Sequence, residues 1–175
     1  MSSFIEKLGS YHILTNLIPG AFFALLADYL FDIHISTESI VEDVVIYYFT
    51  GLLISRVGSL IVTPLLRREW GKRKYAFIRY AYYGDYIKAS KIDAKIDILS
   101  ETNDVFRNLL TCSILLPFLT MFMNEVRFCI DLKWVSIPLL IGIFLFSYKE
   151  YTSYINERVC IINKQQAEKE NSTNS

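Results

Sequence analysis

The feature that most constrains this chain is an apolar run at residues 46–68, which is long enough to cross a bilayer. A membrane-spanning helix needs about 20 predominantly apolar residues, and this run reaches that length. One arginine, Arg56, stands near its middle. An arginine at the bilayer centre costs roughly 2.5–3.5 kcal/mol on insertion scales, so it normally faces a bundle interior or water. The run therefore predicts a membrane helix with one special polar position.

Three further apolar runs, at residues 11–31, 111–123 and 134–148, predict a bundle of membrane helices. The last two have short apolar cores, but aromatic and helix-compatible flanks extend them to spanning length. A soluble core or a re-entrant hairpin remains an alternative for these two runs. A signal peptide is the alternative for the first, and the missing A-x-A-like cleavage site favours an uncleaved anchor. We expect an all-α, four-helix transmembrane bundle with a cytosolic helical segment between spans 2 and 3.

The distribution of charge predicts the orientation of the bundle, because cytoplasmic loops are enriched in Lys and Arg. The stretch at residues 32–43 has four acids and no Lys or Arg, whereas residues 67–107 carry ten Lys or Arg. The third connection has two cations, Arg127 and Lys133. The sequence therefore predicts a membrane protein with both termini in the cytoplasm.

These observations divide the chain into four parts. Residues 1–66 form an N-terminal hairpin with spans at about 11–31 and 44–66, and residues 67–104 form the cytosolic basic and aromatic segment. Residues 105–155 form a second hairpin with spans at about 106–126 and 133–151. Residues 156–175 form a cytosolic tail that we expect to be partly disordered, because its end has almost no apolar residues.

Intramembrane polar residues are the first candidate functional group. Arg56 lies in depth between Asn16 and Asp28 of the first span, and these three residues are the candidate pore or gate positions. In the functional hypothesis, Arg56 is a pore-lining or gating cation within an oligomer. The alternatives are an internal salt bridge and a side chain that snorkels to the cytosol.

Small residues on the second span are the second group. Gly51, Ser55 and Ser59 recur at four-residue spacing, and Gly58 widens the face that they form. Small residues let helix backbones approach closely in lipid. The face predicts helix packing, either within one subunit or between subunits of an oligomer.

A basic and aromatic stretch follows the second span and forms the third group. Such juxtamembrane segments orient the protein and bind anionic lipid head groups, and they can also face a partner protein. Segments that bind nucleic acid have a similar composition, but nucleic-acid binding is not expected of a segment next to a membrane span. The candidate residues are Arg67, Arg68, Trp70, Lys72, Arg73, Lys74 and Arg79.

The rest of the sequence argues against catalysis. Ile92, Ile96 and Leu99 recur at helical spacing and predict an amphipathic cytosolic helix that packs under the bundle, pairs with itself or receives a partner. No nucleophile elbow, phosphate loop or zinc-protease motif is present, and the three cysteines have no metal-site spacing. We expect no enzymatic activity, no cofactor and no metal.

The chain enters the first span as Asn-Leu-x-Pro-Gly after a tyrosine, in Tyr11, Asn16, Leu17, Pro19 and Gly20. In these residues the opening segment resembles small bacterial membrane proteins that lie in defence loci. The four-span layout is similar to that of the membrane component of the Kiwa anti-phage system. The resemblance implies a membrane subunit that oligomerises and works with a cytosolic partner protein.

The sequence thus predicts a non-enzymatic, oligomeric inner-membrane subunit of an anti-phage system that senses membrane disturbance or permeabilises the membrane. Its expected partners are anionic lipids, further copies of itself and a cytosolic protein. The alternatives are a small monomeric transporter or immunity-type membrane protein, and a plain anchor that recruits a soluble effector. An anchor would need no polar residue in the bundle, and internal repeats, which are typical of transporters, are not evident.

Overall fold

The described part of the protein is built from helices. The computed structural model describes residues 2–31, 33–37, 39–67, 78, 80–122 and 132–173, and none of these residues forms a strand. The all-α prediction is therefore confirmed for them. The elements are α1 (Ser2–Phe31), α2 (Ile40–Val57), a π-helical turn (Gly58–Val62), α3 (Thr63–Arg67), α4 (Tyr83–Ser90), α5 (Lys95–Phe122) and α6 (Leu132–Thr173).

Helices α1 and α2 form an antiparallel hairpin that is closed by two glycines. A Cβ atom added to Gly20 would overlap the carbonyl of Tyr47, and one added to Gly51 would overlap the carbonyl of Asn16. Both glycines are buried. The two backbones therefore touch, which is the close approach that small residues allow between membrane helices.

Helix α2 continues into α3 through the π-helical turn, and Pro64 explains why the turn is there. Proline has no N–H to donate, and its ring excludes the carbonyl four residues earlier, so regular α-helical bonding fails at this point. The backbone N–H of Thr63 bonds instead to the carbonyl of Gly58, and the Thr63 hydroxyl donates to the same carbonyl at 3.2 Å. The helix thus passes the proline without ending.

A small apolar core joins α4, the start of α5 and the end of α6. Ala89, Ile96, Ile155, Val159 and Ile162 are buried against one another. Beside this core, Arg158 Nε donates to the Asp93 carboxylate at 2.5 Å, and this bond is the main reason that the pKa of Asp93 lies below its usual value. We call these packed parts the cytosolic unit, after the location that the sequence predicts for them.

The helices differ from the predicted bounds in three places. The predicted partly disordered tail is helical in the structure, since α6 continues as one helix to Thr173. Ile92 lies in the turn between α4 and α5 and is exposed, so the predicted amphipathic helix begins only at Lys95. The predicted third and fourth spans are parts of the longer helices α5 and α6.

Two of the described helices are long and apolar enough to cross a membrane. They are the stretch Ile13–Leu30 of α1 and the continuous helix Ile40–Arg67, with mean hydropathies of 1.6 and 1.7. Only 22% and 17% of these stretches is buried inside the protein, whereas the core helix of a soluble protein is mostly buried. Over their described residues, α5 and α6 do not meet the same criterion of length and hydropathy.

Candidate functional site

Arg56 lies on the outer surface of the helix pair. It is exposed, and it interrupts an outward apolar stripe in which Phe49, Leu53 and Leu60 are 60%, 70% and 74% exposed. Within the part of the chain that the structure describes, Arg56 has no ion pair and no hydrogen bond from its side chain. The predicted internal salt bridge is therefore not found among these residues.

The direction of the helix also matters for Arg56. Side chains in a helix lean toward its N-terminus, which for α2 is the end at Ile40. The Arg56 side chain therefore leans away from the basic end of the helix at Arg67. Snorkelling toward that basic end requires the side chain to bend against its own Cα–Cβ direction.

The structure does not bring Asp28 and Arg56 together. Asp28 Oδ1 lies 2.5 Å from Nδ1 of His34, close to the far end of α1. Because Gly20 faces Tyr47 and Asn16 faces Gly51, Asp28 and Arg56 lie on opposite sides of the crossing. About 25 Å of helix, at about 1.5 Å per residue, separates the two charges.

The small residues of the second span contact different parts of the protein. Gly51 contacts the backbone of α1, and Gly58 faces α5, where an added Cβ would lie 2.7 Å from Thr111 Oγ1. Ser55 is half-buried, and its carbonyl accepts a hydrogen bond from the Ser59 hydroxyl at 3.0 Å. Ser59 is exposed on the same side of the helix as Arg56. Contacts within the chain therefore account for the two glycines, and the face that remains outward is that of Arg56 and Ser59.

Opposite Gly58, α5 carries a polar cluster that is absent from the candidate residues predicted above. Arg107, only 13% exposed, forms an ion pair with Asp104 at 2.7 Å, and its Nη2 donates to Asn108 Oδ1 at 3.4 Å. The Thr111 hydroxyl donates to the Arg107 carbonyl at 2.8 Å. Burial raises the pKa of Asp104, and the positive charge of Arg107 acts in the opposite direction.

Two donors of this cluster are buried without a hydrogen-bond acceptor among the described residues. They are Nε of Arg107 and Nδ2 of Asn108, a residue that is 0% exposed. A buried donor left unpaired costs about 1–3 kcal/mol, and more for a charged group. Most buried polar groups have a partner, so each exception needs an explanation such as a water molecule or an ion.

A pair of tyrosines extends the cluster toward Arg67. The hydroxyls of Tyr80 and Tyr148 lie 3.0 Å apart, and the guanidinium carbon of Arg67 lies 5.8 Å from the centre of the Tyr80 ring. Burial and the bond to Tyr148 raise the pKa of Tyr80, while the charges of Arg107 and Arg67 act in the opposite direction. Arg67, Tyr80, Arg107, Asn108 and Tyr148 are called the inner polar cluster below.

Among the described residues, Arg67 is the member of the predicted basic set, and it lies against the half-buried Tyr80. The other members of the predicted basic and aromatic set lie outside the described residues: Arg68, Trp70, Lys72, Arg73, Lys74 and Arg79.

The sequence did contain a signal for the polar residues of α5. Residues 103, 104, 107, 108 and 111 are all polar, and their spacing places them along one side of a helix. They lie just before and within the start of the predicted third span, where polar residues are common, and this position hid the signal. One turn before Arg107 on α5, Asn103 Nδ2 donates to Thr152 Oγ1 at 3.1 Å, and both residues are buried. The polar side of α5 therefore also contacts α6.

The described residues offer little catalytic chemistry. Cys112 is buried, and its thiol donates to the Pro19 carbonyl at 3.5 Å. No group of three His, Cys, Asp or Glu side chains within the described ranges is arranged to hold a metal ion. The arrangement offers positive charge and hydrogen-bond donors, which suit binding.

No family model, curated protein or solved structure matches this chain. The resemblance of the opening segment to membrane proteins of defence loci therefore stays a prediction.

Proposed function

We propose that this protein is a non-enzymatic subunit of the bacterial inner membrane, with four spans and both termini in the cytoplasm. In this proposal it forms homo-oligomers and works with a cytosolic partner in anti-phage defence. It senses membrane disturbance or permeabilises the membrane. The defence role rests on the resemblance of the opening segment, and the membrane placement and assembly rest on the geometry given above.

Outward apolar side chains on all four long helices support the four spans. A soluble protein rarely exposes a contiguous apolar surface larger than a few hundred Å². Here α5 and α6, like α1 and α2, expose large apolar side chains, while polar residues such as Asn108 and Thr111 are buried. The outward residues of the second hairpin are Ile114, Phe118, Leu119, Val135, Leu139, Ile143 and Phe146.

The exposed position of Arg56 carries the proposal of assembly. Charged residues inside a membrane almost always face a bundle interior or a water-filled cavity. In the single chain Arg56 faces outward, so a second copy is needed to give it such an interior. Ser59 on the same side adds a hydroxyl and a small contour at which helices of two copies approach each other.

The experiment compares the mass of the full-length protein in nanodiscs with that of Arg56→Leu. We expect a defined homo-oligomer for the wild type and dissociation for Arg56→Leu, together with loss of protection or toxicity in cells. Membrane insertion should be unchanged, because leucine is more apolar than arginine. Lys88→Gln, which removes a cation from α4, is the control and should leave the mass and activity unchanged.

Two outcomes would contradict the proposal. A monomeric wild type would rule out a pore or a sensor array built from several copies, and would favour a transporter or immunity-type protein. An Arg56→Leu variant with unchanged assembly and activity would favour the anchor, in which the cytosolic unit alone recruits an effector. The packed core of that unit, including Ile96 and Val159, is the observation that keeps the anchor as the second candidate.

A further inference from the structure

We propose that the inner polar cluster binds a phosphate group, supplied by the head group of an anionic phospholipid in the cytoplasmic leaflet. The inference rests on the membrane placement proposed above and deepens it, because it joins Arg67, already expected to contact anionic lipids, with the buried polar residues of α5 and α6 in one defined site. The cluster combines two guanidinium groups, two phenol hydroxyls and a buried amide.

The charge of the cluster favours an anion. Arg67 and Arg107 contribute two positive charges near the Tyr80 hydroxyl, and Asp104 is the only acid with which either forms an ion pair among the described residues. The group is therefore left with an excess of one positive charge. Arginine is well suited to phosphate because its planar guanidinium offers several donors in a fixed arrangement.

The unpaired donors of the cluster require an acceptor. Arg107 uses Nη1 for Asp104 and Nη2 for Asn108, while its Nε has no acceptor among the described residues. Nδ2 of Asn108 is in the same situation. A phosphate oxygen at Nε of Arg107 would supply a charged acceptor, and a bound water between it and Asn108 would complete the second bond.

The depth of the cluster in a four-span arrangement matches that of the lipid head groups. At about 1.5 Å per residue, Arg107 lies about 22 Å along α5 from Phe122, and Tyr148 lies about 24 Å along α6 from Leu132. These distances approach the thickness of the hydrocarbon core, about 30 Å, so both residues lie toward the cytoplasmic head groups. Tyrosines concentrate at this level.

The direction of α5 completes the geometry. Because α5 runs from the cytosolic unit into the membrane, the Arg107 side chain leans toward the cytoplasmic side. This is the opposite of Arg56, whose side chain leans away from that side. Arg107 is therefore aimed at the head-group layer, and Arg67 reaches the same place from the end of α3.

The test measures lipid retention by native mass spectrometry of the full-length protein. Phosphatidylglycerol and phosphatidylcholine with identical acyl chains are offered in equal amounts. We expect preferential retention of phosphatidylglycerol, and about fivefold weaker retention in Arg67→Gln, the factor typical of one cation near a membrane surface. Tyr80→Phe should also weaken retention, because it removes one hydroxyl donor.

Matched controls separate the site from general effects of charge and aromaticity. Lys88→Gln removes a cation from α4, and Tyr83→Phe removes an exposed phenol hydroxyl, and both should retain phosphatidylglycerol as the wild type does. Arg67→Gln and Tyr80→Phe are preferred over Arg107 variants, because a change at the buried Arg107 can prevent folding. Equal loss in the tested and control variants would overturn the proposal.

A second arm distinguishes the source of the phosphate. Inorganic phosphate at millimolar concentration is added to the detergent-solubilised protein, and thermal unfolding is followed. Stabilisation of the wild type but not of Arg67→Gln, without any preference for phosphatidylglycerol, would support the site and assign it to a soluble phosphate. No lipid preference and no stabilisation by phosphate would overturn the proposal.

The same preparations separate this proposal from the proposed function. Resistance to alkaline extraction reports insertion, and the nanodisc mass reports assembly. If the protein inserts and assembles but neither prefers phosphatidylglycerol nor is stabilised by phosphate, only the proposed phosphate site is contradicted. A protein that is extracted by alkali contradicts the membrane placement itself.

Discussion

At the scale of single residues, the two glycines at the crossing of α1 and α2 have the clearest structural role. Gly20 and Gly51 each lie against backbone atoms of the opposite helix, and a backbone atom cannot move aside as a flexible side chain can. Gly142 on α6 provides the contrast, since an added Cβ there would meet no atom within 4 Å.

We therefore predict opposite effects for the same substitution at two glycines. Gly51→Ala should lower the free energy of unfolding by roughly 1–3 kcal/mol, the usual cost of overpacking. Gly142→Ala should raise it by up to about 1 kcal/mol, because alanine is the better helix former. Thermal unfolding of both variants in the same detergent measures this. Equal stability of the two variants would show that the crossing is not closely packed in the membrane.

Arg56 and Arg107 show why a residue alone does not reveal its role. Arg56 was the obvious candidate, because it interrupts a long apolar run. Arg107 stands at the start of an apolar run, where cations are common, yet the fold buries it beside Gly58 and Asn108. The environment of Arg107 is formed by residues of other helices, and the pattern of residues along α5 does not reveal which helices pack against it.

At the scale of elements, apolar runs predicted where helices lie but not where they end. Residues 149–173 are polar enough to suggest a tail, yet they continue α6, because Ile155, Val159 and Ile162 pack against α4 and α5. These three residues follow helical spacing, which is a usable signal. The break between Ile92 and Ile96 was missed, because the apolar spacing continues across the turn between α4 and α5.

Neighbouring isoleucines on α6 test the cytosolic unit. Ile162 is 8% exposed and belongs to its core, whereas Ile161 is 49% exposed. Ile162→Ala should destabilise the unit by about 2 kcal/mol or more, as is usual for buried isoleucine. Ile161→Ala should change its stability by less than about 0.5 kcal/mol.

Amide hydrogen exchange in α4 is the suitable measurement, because Ala89 of α4 contacts this core. Exchange should become faster only in Ile162→Ala. The same rate in both variants would mean that α6 does not hold α4 in place.

At the scale of the whole molecule, the distribution of polarity favours a protein that lies in lipid. The outer surface carries apolar residues such as Leu25, Leu53 and Phe146, while Asn103 and Thr152 are buried between α5 and α6. Over the described residues, hydropathy supports the first two spans, and the proposal of a third and fourth rests on the outward apolar side chains of α5 and α6.

The central claim is that α5 and α6 cross the membrane and return the chain to the cytoplasm. Labelling of the native cysteines with an impermeant maleimide tests it most directly. Cys129, which lies outside the described residues, belongs to the connection between α5 and α6, and Cys160 is exposed on the cytosolic unit. Buried Cys112 is the internal control, which should remain unlabelled in the folded protein.

Single-cysteine variants in cells with a permeabilised outer membrane give the answer. We expect that Cys129 is labelled in intact cells, and that Cys160 is labelled only after the inner membrane is opened. Labelling of Cys160 in intact cells, with Cys129 protected, would invert the topology. Protection of both cysteines until the inner membrane is opened would contradict the second pair of spans.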